Sequence, residues 1–262
     1  MKPEERQNEI ISLLRATQRE MSVEEIVGHF GTSSLTIRRD MEALAQQGAI
    51  IRTYGGCILN GSLITTYQQR ASENFHLKRA IGMAAAQLAR PGEVILIDDG
   101  STTFHLAANL EKRAPLTVVT NSIAVIPELS RFPGIQIEIL GGVYNRDTNF
   151  LGGSLSERLL EMLFFDSVFV GADSVDPNGV CFVRSPEVAR LTQLMLKRAA
   201  RRFLLADHTK AGGLSYVSYG TLGDFDLWVT TAGMEPELRA VYGRMTTVKE
   251  VESPIQDHSA VH

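Results

Sequence analysis

Cysteine is scarce: 262 residues carry two, Cys57 and Cys181, in separate segments. Two distant thiols supply neither a disulfide framework nor a metal-ligand set, and they are expected to stay reduced. Long apolar runs are missing as well; none approaches the roughly 20 residues that span a bilayer. The opening "MKPEERQNEI" is charged throughout and lacks the apolar stretch of a secretory signal. These absences exclude a membrane segment and lead us to expect a cytoplasmic protein. Strong charge of one sign is absent too. The formal net charge is −4, and the first sixty residues hold seven Lys/Arg against eight Asp/Glu. That balance argues against a protein that coats nucleic acid indiscriminately. Any DNA contact must therefore rest on where particular arginines point. No Gly-Lys-Ser/Thr phosphate loop occurs, and no strand leads into Gly-x-Gly-x-x-Gly, so no nucleotide cofactor and no metal is expected.

What remains is an ordinary globular composition, 44% apolar and 21% charged, long enough for a small and a medium domain. The first sixty residues read as three short helices. Ile10, Leu13 and Leu14 give the first its buried stripe. Ser22-Val23-Glu24-Glu25 is a capping box opening the second, which Gly31 ends. Ser33 caps a third, running to Gln47 and stopping at Gly48. Two helices joined by so short a turn make a helix-turn-helix. "AIIRTYGGCIL" then reads as two strands around a Gly-Gly turn, which completes a winged helix.

At ~100° per residue, Ile37, Met41 and Leu44 share the core arc of the third helix. Ser33, Ser34, Leu35, Thr36, Arg38 and Arg39 crowd its amino-terminal end, the part of a recognition helix that enters the major groove. Arginine can hold guanine through two donors or clamp a phosphate. Arg52 and Tyr54 fall at the wing, where phosphate contact is the natural role. The competing view is an amphipathic helix whose exposed arginines pair with Asp40 and Glu42; the capped helix-turn-helix and hairpin favour DNA.

Residues 60–74 turn polar and irregular and are expected as a linker, with a sensor domain over 75–252 and a disordered tail over 253–262. From residue 75 onward helices alternate with apolar runs such as "EVILID", "LTVVT", "IQIEIL", "SVFVGAD", "RFLLAD" and "LWVTT". Such alternation predicts an α/β fold with a Rossmann-like parallel sheet covered on both faces. Three strand ends look toward one edge. Asp99, Gly100, Ser101, Thr102 and Thr103 open a helix, where free amides make an anion site. Thr120 and Asn121 end the next strand, and Gly142 follows a third. Singly each is as readily turn or cap chemistry; together at the carboxyl edge they favour a phosphorylated small molecule. Asp173, Glu187 and Lys210 add two carboxylates for hydroxyl groups and a cation.

The run "TIRRDMEAL" followed by "G…R.YGG" resembles the signature of the DeoR family of bacterial sugar-metabolism regulators. "DDGSTT", "TNS", "LGG", "VGAD", "E…M" and "AD.TK" follow in the order of that family's sensor domain, to about Gly233. The resemblance implies a sensor similar in fold to ribose-5-phosphate isomerase that binds a phosphorylated sugar. It puts Asp99 to Thr103 at the phosphate end, Thr120, Asn121 and Gly142 beside them, and Glu187 with Lys210 toward the sugar. Two departures leave the effector open: Ala211 stands where the family has an aromatic, and "CFVRSPEVA" is not the usual approach to the glutamate.

The expected function is a cytoplasmic transcriptional repressor of a carbohydrate operon, not an enzyme. Its partners would be operator DNA, a sugar phosphate and further copies of itself, since one weakly charged module makes few phosphate contacts. One alternative is a sugar-phosphate isomerase with Glu187 as base and Lys210 stabilising an enediolate. Another is a winged helix that binds protein rather than DNA.

Overall fold

The computed structural model describes residues 2–17, 20–46, 49–53, 55–59, 67–146 and 148–253. The chain divides into two units, Met1–Ile64 and Thr65–His262. The first holds α1 (Pro3–Thr17), β1 (Met21–Ser22), α2 (Val23–Phe30), α3 (Ser34–Gln46), β2 (Ile50–Arg52) and β3 (Gly56–Leu59). At the start of α2 the Ser22 hydroxyl accepts the Glu25 amide at 3.1 Å, and Glu25 accepts the Ser22 amide at 2.8 Å. Gly31 ends α2 in the left-handed region, φ 60°, where a side chain would be strained. Ile10, Leu14, Ile26, Ile37, Met41 and Leu44 fill the small core.

The wing has a strand that the sequence reading lacks. β1 pairs with β3, giving the order β1-β3-β2. A Cβ on Gly56 would sit 2.0 Å from the Met21 carbonyl oxygen, so β1 can approach only because residue 56 has no side chain.

The second unit opens with α4 (Tyr67–Ser72) and α5 (Phe75–Ala86), then β4 (Val94–Ile97), α6 (Ser101–Ala107), β5 (Leu116–Thr120), α7 (Ile126–Leu129) and β6 (Ile135–Ile139). A hairpin of β7 (Val143–Asn145) and β8 (Phe150–Gly152) leads to α8 (Ser154–Met162), β9 (Phe165–Val170), β10 (Ser174–Val175) and β11 (Val180–Val183). The chain continues through α9 (Pro186–Lys197), β12 (Ala199–Leu205), β13 (Val217–Thr221), β14 (Leu227–Thr231), α10 (Pro236–Tyr242) and β15 (Thr247–Val251).

Seven strands form one sheet in the order β15-β14-β12-β9-β4-β5-β6, with every pairing parallel. Strand residues alternate between two cores. Ile95, Ile97, Phe203, Leu205 and Val229 pack on one face with α5 and α6. Leu96, Leu204 and Trp228 pack on the other with α8, α9 and α10. This is a sheet buried on both sides, and it explains the unbroken apolar strands. The chain builds outward from β4 through β5 to β6, then returns to β9 on the other flank of β4. The reversal leaves a crevice beyond the carboxyl ends of β4 and β9.

Several expectations change. Residues 67–72, inside the polar stretch expected as linker, are α4; the rest of that stretch up to residue 66 lies outside the described residues, as does the expected tail from 254. Between β5 and β6 the alternating helix is a single turn, Ile126–Leu129. The β7–β8 hairpin, the small β10-β11-β13 sheet and the edge strand β15 are all additions. Both cysteines are buried and free.

Candidate functional site

On α3 the core face holds Ile37, Met41 and Leu44, while Ser34, Leu35, Arg38 and Arg39 are exposed. Leu35 is 60% exposed, a bare apolar side chain among polar ones. Ser33 caps the helix: its hydroxyl accepts the Thr36 amide at 3.3 Å and lies 2.8 Å from the Thr36 hydroxyl. The acids that could have neutralised the arginines are taken. Asp40 is buried and accepts from Arg6 Nε at 2.5 Å and Gln7 at 3.2 Å. Glu42 is ion-paired with Arg52 across to β2. Among the described residues Arg38 and Arg39 have no ion pair, and they remain open to an outside anion. Arg52, expected at the wing phosphate, is paired with Glu42; Tyr54 lies outside the described residues.

In the second unit the crevice is framed by Asp98. Its carboxylate accepts the Gly100 amide at 2.9 Å, the Thr103 hydroxyl at 2.6 Å and, from the next strand, the Gly171 amide at 2.6 Å. Burial and then the adjacent Asp99 charge raise its pKa. Thr120 also faces inward, donating to the Ile97 carbonyl at 2.8 Å and accepting the Ser122 amide at 3.0 Å. Thr103 and Thr120 therefore spend their hydroxyls within the loop and the sheet. Gly100 likewise spends its amide on Asp98. Ser101 and Thr102 are buried at the start of α6, an end that no side chain caps.

Asp99, next in the loop, is buried as well. Asn121 Nδ2 lies 3.5 Å from its Oδ1. Burial raises the Asp99 pKa, and Arg70 is the strongest influence opposing that. Arg70 stands on α4, donates to the Thr148 carbonyl at 3.4 Å, and also acts on Asp173. Burial pushes Asp173 up, but its ion pair with Arg184 outweighs this and holds it below the usual carboxylate range. Lys210 adds to that pull and, after burial, is the main cause that brings Lys78 down to about 8. Lys78 is buried and donates to the Arg70 and Glu73 carbonyls, so it fixes the corner between α4 and α5.

Five buried polar atoms in this region lack a hydrogen-bond partner among the described residues: Tyr67 Oη, Arg70 Nε, Asn121 Oδ1, Ser122 Oγ and Asp207 Oδ2. Each such atom costs about 1–3 kcal/mol if left unpaired. Clustering at one sheet edge makes them ready to receive a polar molecule. Arg70 and Lys78 are the charged residues of this region that sequence reasoning did not single out. Arg70 falls in the stretch expected as linker, and nothing local marks it; only the fold brings α4 to Asp99.

Two expected residues have other surroundings. A Cβ on Gly142 would strike the Gly152 carbonyl oxygen at 2.2 Å, so this glycine serves the β7–β8 hairpin. Glu187 is exposed, with Oε1 2.7 Å from where a Cβ on Gly152 would lie. A cavity of about 400 Å³ lies elsewhere, at the amino ends of β5 and β6 beside Pro115, Thr117, Pro133 and Gln136. No charged side chain lines it, so it offers nothing to an anion. Among the described residues no helix is long and apolar enough to cross a membrane, and no acidic, histidine or cysteine cluster could hold a metal ion.

Residues 6–62 match the DeoR-like helix-turn-helix domain, and residues 73–232 match the DeoR C-terminal sensor domain. Full-length relatives agree. The chain is 32% identical to the HTH-type transcriptional regulator GlpR of Haloferax volcanii, over 91% of this chain and 94% of that one. It is 33% identical to the HTH-type transcriptional repressor GlcR of Bacillus subtilis, over 88% and 89%. It is 30% identical to the lactose phosphotransferase system repressor of Lactococcus lactis, over 88% and 92%. Ribose 5-phosphate isomerase A of Methanocaldococcus jannaschii superposes with a TM-score of 0.40 and 18% identity, over 53% of this chain and 55% of that one; a likeness so loose says nothing about activity. With a helix-turn-helix whose arginines lie open and a sensor domain following it in the sequence, the chain belongs to the DeoR family and is a DNA-binding transcriptional regulator rather than an enzyme.

Proposed function

We propose that this regulator is a cytoplasmic, homo-oligomeric repressor of a carbohydrate operon, released from its operator by a sugar phosphate bound at the β4–β9 crevice. The reading is carried by the five unpartnered buried polar atoms, set among cations and carboxylates. The charges sort a bifunctional ligand. Arg70, with Lys210, suits a phosphate, and one charge-assisted hydrogen bond there is worth about 1.5–3 kcal/mol. Asp99 and Asp207 suit sugar hydroxyls, which donate to carboxylates. A neutral sugar leaves the cations unanswered, and inorganic phosphate leaves the carboxylates so. The repressors among the relatives support the direction of control.

Operator contact falls to α3, with Arg38 and Arg39 reaching base edges or phosphates and Leu35 available to a thymine methyl. Two recognition helices would meet two half-sites, and effector binding would change their spacing.

A thermal-shift screen of sugar phosphates against their unphosphorylated parents tests the effector. Binding to the native state alone raises the melting temperature. At least one sugar phosphate should do so while its parent sugar does not, and Arg70→Ala should abolish the shift. Equal shifts from sugar and sugar phosphate, or an undiminished shift in Arg70→Ala, would defeat the assignment.

A further inference from the structure

Among the described residues, half of the large apolar side chains that lie open to solvent fall within residues 139–164. Met162 is 81% exposed, Val143 73%, Phe164 65% and Leu155 54%. At ~100° per residue, Leu155 and Met162 fall within about 20° of each other on α8. Ser156 and Leu160, on the other side of the helix, are buried. At the amino end Leu155 Cδ2 comes within 3.0 Å of the Cβ position of Gly141, and Val143 Cγ2 within 3.9 Å of that of Gly153. The ridge on α8 therefore continues onto the β7–β8 hairpin.

We propose that this ridge is where a second copy of the chain docks, α8 lying antiparallel to its twofold-related mate. The inference rests on the homo-oligomeric reading given above and names the surface it uses. Charge selects the occupant. Arg158 and Glu161 are both exposed and lie on the same flank of the ridge. Arg158 makes no ion pair among the described residues. Glu161 likewise makes no ion pair among the described residues, and Arg190 is already held by Glu157 at 2.7 Å. When two identical helices pack antiparallel about a twofold axis, like flanks meet and residue contacts are reciprocal. With the axis near Leu159 and Leu160, Arg158 faces Glu161 of the partner subunit, and the converse contact follows by symmetry. The three-residue offset between opposite charges makes the surface complementary to itself. An anionic membrane would find Glu161 set against it.

Sedimentation of the full chain tests this with Arg158→Glu, Glu161→Arg and their equimolar mixture. Each variant alone places like charges across the axis, so its mass should fall to half that of wild type. Mixing should restore the wild-type mass, because the mixed pair again matches opposite charges. Restoration also shows that both variants are folded. Variants that keep the wild-type mass would overturn this surface while leaving the oligomeric reading standing, and a mixture that stays dissociated would overturn the antiparallel pairing. A wild-type chain that sediments as a monomer would overturn both.

Discussion

The carboxylate of Asp98, at the end of β4, accepts the backbone amide of Gly171, just past β9, at 2.6 Å. This bond ties the two strands together where the chain order reverses. It is made by a carboxylate whose pKa burial has raised. Its value lies in satisfying three donors at once rather than in charge.

Removing the acceptor leaves the Gly100 and Gly171 amides and the Thr103 hydroxyl unpaired. Asp98→Ala should lower the unfolding free energy by about 2–4 kcal/mol. Asp98→Asn, which keeps one acceptor oxygen, should cost less. Urea melts of the two variants check this; an alanine variant within about 0.5 kcal/mol of wild type would contradict the structural role.

His105 gives the second unit a pH dependence. It is buried beside Phe75, with ring centroids 5.0 Å apart. Burial, then Lys78 and Arg79, pull its pKa from 6.5 to about 4. Over that interval the unfolded chain binds the proton that the folded chain refuses. The stability is therefore complete above pH 6.5 and is lost as pH falls through 4. Asp98 acts the other way, because its raised pKa favours the folded state as pH falls. Only a difference between wild type and His105→Gln isolates the histidine. That difference should shrink by about 1–2 kcal/mol between pH 7 and 4.5, after allowing for solvent screening. Parallel stability curves would contradict it.

What the sequence made legible was local. The Ser22–Glu25 cap, the core arc of Ile37, Met41 and Leu44, and the buried strands around Ile95 and Val118 depend on neighbours within a few positions. Relationships across the chain were not legible. Asp40 looked available to Arg38, but it is held by Arg6, which is 34 residues away. Thr103 and Thr120 read as ligand contacts because hydroxyls at strand ends often are; which way each turns depends on Asp98 and Ile97. β15 escaped notice because "TVKEV" is a charged edge strand, and such charge keeps an edge from pairing further. Arg70 belongs to the crevice only because α4 folds back toward Asp99.

Arg38 and Arg39 should carry operator affinity without carrying stability. Arg38→Ala and Arg39→Ala should each weaken binding to a promoter fragment by about 1–3 kcal/mol. Their melting temperatures should match wild type, since both side chains are exposed. Gel-shift titrations at fixed salt check this. Unchanged affinity in both variants would remove α3 from the DNA interface.

The central claim is that filling the crevice alters the grip on DNA. Fluorescence anisotropy of a labelled operator fragment measures it, with and without the sugar phosphate that most raises the melting temperature. Wild type should lose operator affinity by about tenfold, a coupling of ~1.4 kcal/mol. Arg70→Ala should hold the operator equally well at both effector levels. A wild-type affinity that stays the same with the crevice saturated would contradict the account.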